Sequence, residues 1–239
     1  LAMLNHGVIS VPLYARQNPA ELAQMLQDCG ASFLIGGSQE LLDGVRENWP
    51  ACCRTALLAD AFSGTPSELG PEALEPGDPI TIIYTSGTSG EPKGVILTAE
   101  NMDFMVPTTG TALDNLLGGT DTTDHPFHYL PFCFAGSRVV LWTQLYRGNP
   151  LMMSTDLNNL PEELGTAKPQ YMLNVPALLE RIRRKVEEGV KEKGGLGAAL
   201  YTRAMGAVMG EAHGENGAMS GLWKMIGEKM VFPKIKEKI

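Results

Sequence analysis

The stretch from residue 80 to 98 constrains this chain more than any other. Ile80, Thr81, Ile82, Ile83 and Tyr84 form a β-branched and aromatic run that reads as a strand. Gly94, Val95, Ile96, Leu97 and Thr98 read as a second strand. Between them lie Thr85, Ser86, Gly87, Thr88, Ser89, Gly90, Glu91, Pro92 and Lys93. Glycine lets a backbone turn and present successive N–H groups, and hydroxyls add donors, so the loop can form a concave anion site. Lys93 brings a full positive charge to the end of the loop, suited to a polyphosphate, while Pro92 stiffens the approach by fixing its own φ. The string is not the G-x-x-x-x-G-K loop that opens a helix, because Lys93 precedes Gly94 and a strand follows. On composition alone it could equally be a hydroxyl-rich surface turn joining two strands.

The surroundings of this loop alternate helix and strand. Residues 8–14 are a short β-branched run. Asn18 starts a helix with Pro19 in its first position, Glu21 two places on, and Gly30 as the stop. Residues 32–35 read as a buried strand, 38–48 as a second helix and 56–58 as another strand, an order that implies a parallel sheet with helices on its faces. Residues 63–79 are rich in Gly, Pro, Ser and Glu and read as a linker. Beyond the loop, Thr98 caps a helix to about residue 116, and residues 137–146 form a helix closing at Gly148. Residues 151–154 and 171–175 read as strands flanking a short helix at 159–164. Pro176 opens a long helix to about residue 193, and a last helix is expected near 222–230. The fold class is α/β.

Composition removes several functions. A chain of 239 residues with 44% hydrophobic content and net charge −8 is neither disordered nor a general nucleic-acid binder, which needs clustered Lys and Arg. No run of about 18 apolar residues is present to span a bilayer. Cys29, Cys52, Cys53 and Cys133 make no C-x-x-C pair, and His125 and His128 have no cysteine at metal-ligand spacing, so a reducing, cytoplasmic setting is expected. The basic run Arg181, Arg183, Arg184 and Lys185 is interleaved with Glu180, Glu187 and Glu188 at helical spacing, as on a salt-bridged, solvated helix face. Methionines between 205 and 230 read as core filler, with an acyl-chain lining or peripheral membrane contact as the second reading.

The whole string from Tyr84 to Val95 resembles the AMP-binding signature of the adenylate-forming enzymes, the superfamily of acyl-CoA synthetases, peptide-synthetase adenylation domains and firefly luciferase. Residues 145–148, 154–157 and 175–180, with the insertion that follows Glu180, are most similar to the long-chain fatty acyl-CoA synthetase branch. The resemblance implies part of a large N-terminal domain with mixed and parallel sheets flanked by helices. It also implies ATP, Mg²⁺ and coenzyme A as cofactor and co-substrates, and as partners small-molecule substrates and no nucleic acid, with peripheral membrane contact left open. In its terms Thr85, Ser86, Gly87, Thr88, Ser89, Gly90 and Lys93 bind the ATP phosphates, and Thr85 ligates Mg²⁺. Where the family carries Leu-Pro-x-x-His, this chain has Leu130, Pro131, Phe132, Cys133 and Phe134, so Phe132 and Phe134 suggest an apolar acyl pocket.

The expected organisation is one incomplete AMP-binding domain over 1–239. It has a first α/β portion at 1–62, a linker at 63–79, and a phosphate-loop portion at 80–239 with a helical insertion at 181–232. The small C-terminal domain is expected to be absent. No catalytic residue is expected within the chain, which by itself should lack ligase activity. The alternatives are an adenylating enzyme with another acid or acceptor, such as a carrier-protein thiol, and a non-catalytic nucleotide-binding relative.

Overall fold

The computed structural model describes residues 2–63, 70–86, 91–119, 123–154, 156–212, 214 and 219–233. It divides into two compact units, Leu1–Met153 and Ser154–Ile239. In the first, after a short helix α1 (Ala2–Asn5), come α2 (Pro19–Asp28), β1 (Phe33–Gly36), α3 (Gln39–Asn48) and β2 (Arg54–Leu57), with β1 and β2 parallel. Asn18 accepts from the Ala20 N–H at 2.9 Å, so α2 starts at the capping residue read from the sequence, while Ser38, read as the first residue of a helix, accepts from the Leu41 N–H at 3.3 Å and caps α3. Their apolar faces meet: Leu22, Ala23 and Leu26 of α2 and Val45 of α3 form a core ringed by Leu13, Leu34, Trp49 and Cys52. A Cβ on Gly36 would lie 2.5 Å from a Leu42 methyl, so a larger residue there would displace the buried Leu42 side chain of α3 from β1.

Residues 8–14 do not join that sheet. Ser10 alone bridges, in parallel, to Thr81 of β3 (Pro79–Ser86), and Pro12 has no N–H with which to extend the pairing. β3 pairs antiparallel with β4 (Pro92–Thr98). Thr98 and Asn101 then form a reciprocal capping box that opens α4 (Ala99–Leu117), and Gly118 closes it at φ 93°. A further parallel pair, β5 (Phe127–His128) and β6 (Met152–Met153), is linked by α5 (Ala135–Arg147).

α4 and α5 are joined by buried charge. Arg147, 6% exposed, bonds Asp114 of α4 at 2.6 Å and Asp124 at 2.5 Å, and Asp124 is 2% exposed. Asn149 also donates to Asp124. A Cβ on Gly110 of α4 would lie 3.6 Å from the stem of Arg147 and the ring of Tyr146, so the two helices are in ordinary contact there.

The second unit is helical: α6 (Leu160–Ala167), α7 (Pro176–Lys193), α8 (Gly195–Ala212) and α9 (Ser220–Ile226), followed by a π-turn at Gly227–Val231. Arg183 and Glu187 pair one turn apart on α7, as its interleaved charges suggest. Arg203 of α8 lies 5.0 Å over the Trp223 ring, and Lys224 pairs with Glu211 at 2.8 Å. Residues 171–175 are not a strand: only Met172 makes a bridge, and the Asn174 side chain takes the Val175 N–H that a neighbouring strand would need. Among the described residues no helix is long and apolar enough to cross a membrane.

Replacing Arg147 by Met should leave Asp124 buried without its cation and cost about 3–5 kcal/mol. Urea unfolding would read this as a lowered midpoint, and a change under about 1 kcal/mol would mean that the pair is solvated.

Candidate functional site

The antiparallel register sets Thr85 opposite Lys93 at the open end of the hairpin, and Ser86 opposite Pro92. Directly paired residues project from the same face of a ribbon, so Thr85 and Lys93 stand side by side. The Thr85 hydroxyl also reaches the Lys93 carbonyl at 3.5 Å. Both residues are exposed, and the Lys93 ammonium has no ion-pair partner among the described residues. A hydroxyl, a carbonyl oxygen and a free cation therefore share the tip. Gly87, Thr88, Ser89 and Gly90, with the Ser86 side chain, lie outside the described residues.

The opposite face of the ribbon carries Tyr84 across from Gly94. A Cβ on Gly94 would sit 2.9 Å from the Ile82 Cγ2 and 3.2 Å from the Tyr84 Cζ, so the glycine provides the space over which the tyrosine ring lies. The Tyr84 hydroxyl is 2.5 Å from Asp28 Oδ2 and 2.9 Å from the Met25 carbonyl, both at the C-terminal end of α2. Burial, then the bond to Asp28, pushes the phenol well above its ordinary pKa, so it stays protonated and donates. A cleft of about 390 Å³ opens beside this contact, lined by Gln24, Gln27, Asp28 and Tyr84 and closed by Glu91 and Pro92.

Of the two candidate acyl-pocket residues, Phe132 stacks on His128 with ring centroids 4.9 Å apart, and Phe134 stands 52% exposed at the start of α5. His128 escaped the sequence reading except as half of an unpaired histidine couple. It is 2% exposed, its Nε2 donates to the Leu130 carbonyl at 2.7 Å, and its Nδ1 has no partner among the described residues. Burial lowers its pKa and outweighs that bond, so the ring is held neutral. Among the described residues no group of three or more His, Cys, Asp or Glu could hold a metal ion.

Residues 1–227 match the family described as AMP-binding enzyme. The chain belongs to that family. It is 29% identical to the probable CoA ligase CCL6 of Humulus lupulus over 98% of this chain and 36% of that protein. It is 30% identical to long chain acyl-CoA synthetase 8 of Arabidopsis thaliana over 65% of this chain and 22% of that one. The chain thus spans between about a fifth and two fifths of the length of the curated relatives it matches. Among solved structures it is similar to o-succinylbenzoate CoA synthetase from Bacillus subtilis in complex with the acyl-adenylate intermediate OSB-AMP. That likeness has a TM-score of 0.63 at 20% identity and covers 77% of this chain and 47% of that one. The fold of an AMP-binding enzyme is accordingly what the sequence implied: parallel and antiparallel sheets flanked by helices.

His128 ties stability to pH. Its folded pKa lies below the unfolded value of 6.5, so the unfolded chain binds more protons between the two. The contribution is complete above about pH 6.5 and is lost as pH falls from there toward the folded value. Unfolding midpoints measured between about pH 7 and 5 should fall more steeply for the wild type than for a His128→Phe variant, which keeps the stack on Phe132 without a titrating ring.

Proposed function

We propose that the protein carrying this chain is an AMP-forming ligase that activates a long-chain fatty acid with ATP and transfers it to coenzyme A. The observation that carries this reading is the cross-strand pairing of Thr85 with Lys93 at the tip of the hairpin, within a stretch that resembles the AMP-binding signature. The long-chain assignment is supported by relatives such as the Arabidopsis synthetase and by the apolar Phe134 where many family members carry histidine.

In the first step a fatty carboxylate oxygen attacks the α-phosphorus of ATP. The bond to the bridging oxygen breaks, giving acyl-adenylate and pyrophosphate. The thiolate of coenzyme A then attacks the acyl carbon and AMP leaves with the electron pair. Charge accumulates on phosphoryl oxygens in the first step, so positioning and electrostatic stabilisation dominate. The amides and hydroxyls of Thr85, Ser86, Gly87, Thr88, Ser89 and Gly90 hold the β- and γ-phosphates, and Lys93 offsets their charge.

An exposed hydroxyl oxygen beside a carbonyl oxygen fits magnesium, a hard cation. With no group of three or more acidic or other metal-binding side chains among the described residues, Thr85 would hold the ion together with the phosphates, and magnesium would there spread and neutralise their negative charge. Phe132 and Phe134 line the acyl site in this reading. We place the protein in the cytoplasm on the strength of four cysteines that are all free. The exposed Met209, Met219 and Met225 of the helical unit provide apolar area for peripheral contact with a membrane.

A Lys93→Ala variant of the full natural protein should lose about 100-fold in kcat/KM for ATP, the scale expected when one charge-stabilising donor is removed. Its KM for the fatty acid should be unchanged. Pyrophosphate release under varied ATP measures this, and an unaltered ATP dependence would remove the role given to the lysine.

A further inference from the structure

We propose that Tyr84 and Asp28 are positioning residues, a latch that fixes the nucleotide-gripping turn to helix α2. The inference rests on the nucleotide reading of that turn. Tyr84 is the residue immediately before Thr85, and strand residues alternate in direction, so its ring points away from the face that carries Thr85 and Lys93. Tyr84 therefore acts on the turn through the backbone and not by touching phosphate.

Three features make the contact a latch. Its anchor is stiff: Asp28 ends a helix whose Leu22, Ala23, Met25 and Leu26 are each 3% exposed or less. Its bond is short and charge-assisted, a neutral phenol donating to a carboxylate at 2.5 Å. Its approach is prepared by Gly94, whose missing side chain is what lets the ring lie across the ribbon toward α2. The partners are 56 residues apart in the chain, so the bond sets a tertiary position that local strand pairing cannot. Without the Tyr84 hydroxyl, which also meets the Met25 carbonyl of α2, the ribbon's tip is tied to its partner strand but loses its hydrogen bonds to the helix. A shift of about 1 Å in a gripping group can cost on the order of 100-fold in rate.

The test uses the full natural protein with Tyr84→Phe, Asp28→Ala, their double variant and Asp28→Asn, with ATP and fatty acid varied separately. Tyr84→Phe should lower kcat/KM for ATP about 10-fold, an intermediate loss for a group acting at second hand, and Asp28→Ala, which leaves the Met25 carbonyl as acceptor, should lower it by no more than that. The double variant should be no worse than Tyr84→Phe, because Asp28→Ala deletes one of the two bonds that Tyr84→Phe already removes. KM for the fatty acid should stay within about twofold, and Asp28→Asn, whose amide oxygen still accepts, should recover most of the loss.

Tyr84→Phe within about twofold of wild type toward ATP overturns the latch. So does a loss shared equally by ATP and fatty acid, which marks general destabilisation. If Asp28→Ala does not fold, Tyr84→Phe decides, because it deletes a single oxygen. Lys93→Ala separates the two readings. If that variant keeps its ATP dependence, the turn itself is misread. If it loses ATP while Tyr84→Phe does not, only the latch fails.

Discussion

A two-stranded antiparallel ribbon is at best marginally stable alone in water, so the β3–β4 hairpin must be held by what surrounds it. Three attachments do this. Tyr84 reaches α2 from one face. Ser10 pairs with the ribbon's edge, its N–H donating to the Ile80 carbonyl and its carbonyl accepting from Ile82 N–H, both at 3.1 Å. From α5, Arg138 donates to the Thr81 hydroxyl at 2.5 Å and to the Ser10 hydroxyl at 2.9 Å while its guanidinium lies 4.7 Å over the Trp142 ring. Every group proposed to touch the nucleotide hangs from this framework.

Arg147 and Arg138 of this unit are treated differently. Arg147 sits between two carboxylates, as a desolvated cation ordinarily requires. Arg138, half-buried, meets hydroxyls and an indole among the described residues, and burial depresses its pKa, although a guanidinium remains charged. The first arrangement fixes α4 against α5. The second leaves positive charge under the base of the hairpin whose tip carries Lys93. Both cations therefore lie in the same fold as a ribbon read as binding an anion.

Much of the framework was legible because it is written in local chemistry. Asn18, Ser38 and Thr98 announce three helix starts, and each does cap one. The β-branched runs on either side of the Gly and Ser loop announce the hairpin, and its register follows from loop length and apolar pattern. What was not legible depends on partners far away in the chain. Residues 8–14 and 171–175 have strand composition, but strand character needs a neighbour with free groups in register, which Pro12 and Asn174 deny. Helix α8 was hidden because its Gly and Ala content carries little periodicity, and its place is set by packing against α9 and the turn after it, where Gly227 lies close to Ala204 and Phe232. For the site, Thr85 and Lys93 could be named from the motif. Tyr84's hold on Asp28 and the neutral state of His128 could not, because both are set by burial.

The knot at the ribbon's base also orders events during synthesis. Arg138 meets Thr81 and Ser10 across 57 and 128 residues of chain. Hairpins close in about 1–10 μs, whereas a ribosome adds about 5–20 residues per second. A nascent chain that has just exposed residue 98 can therefore pair its two strands seconds before α5 emerges. During that interval the ribbon's lower edge has its hydroxyls but not its guanidinium, and the final clasp belongs to the late, long-range part of folding.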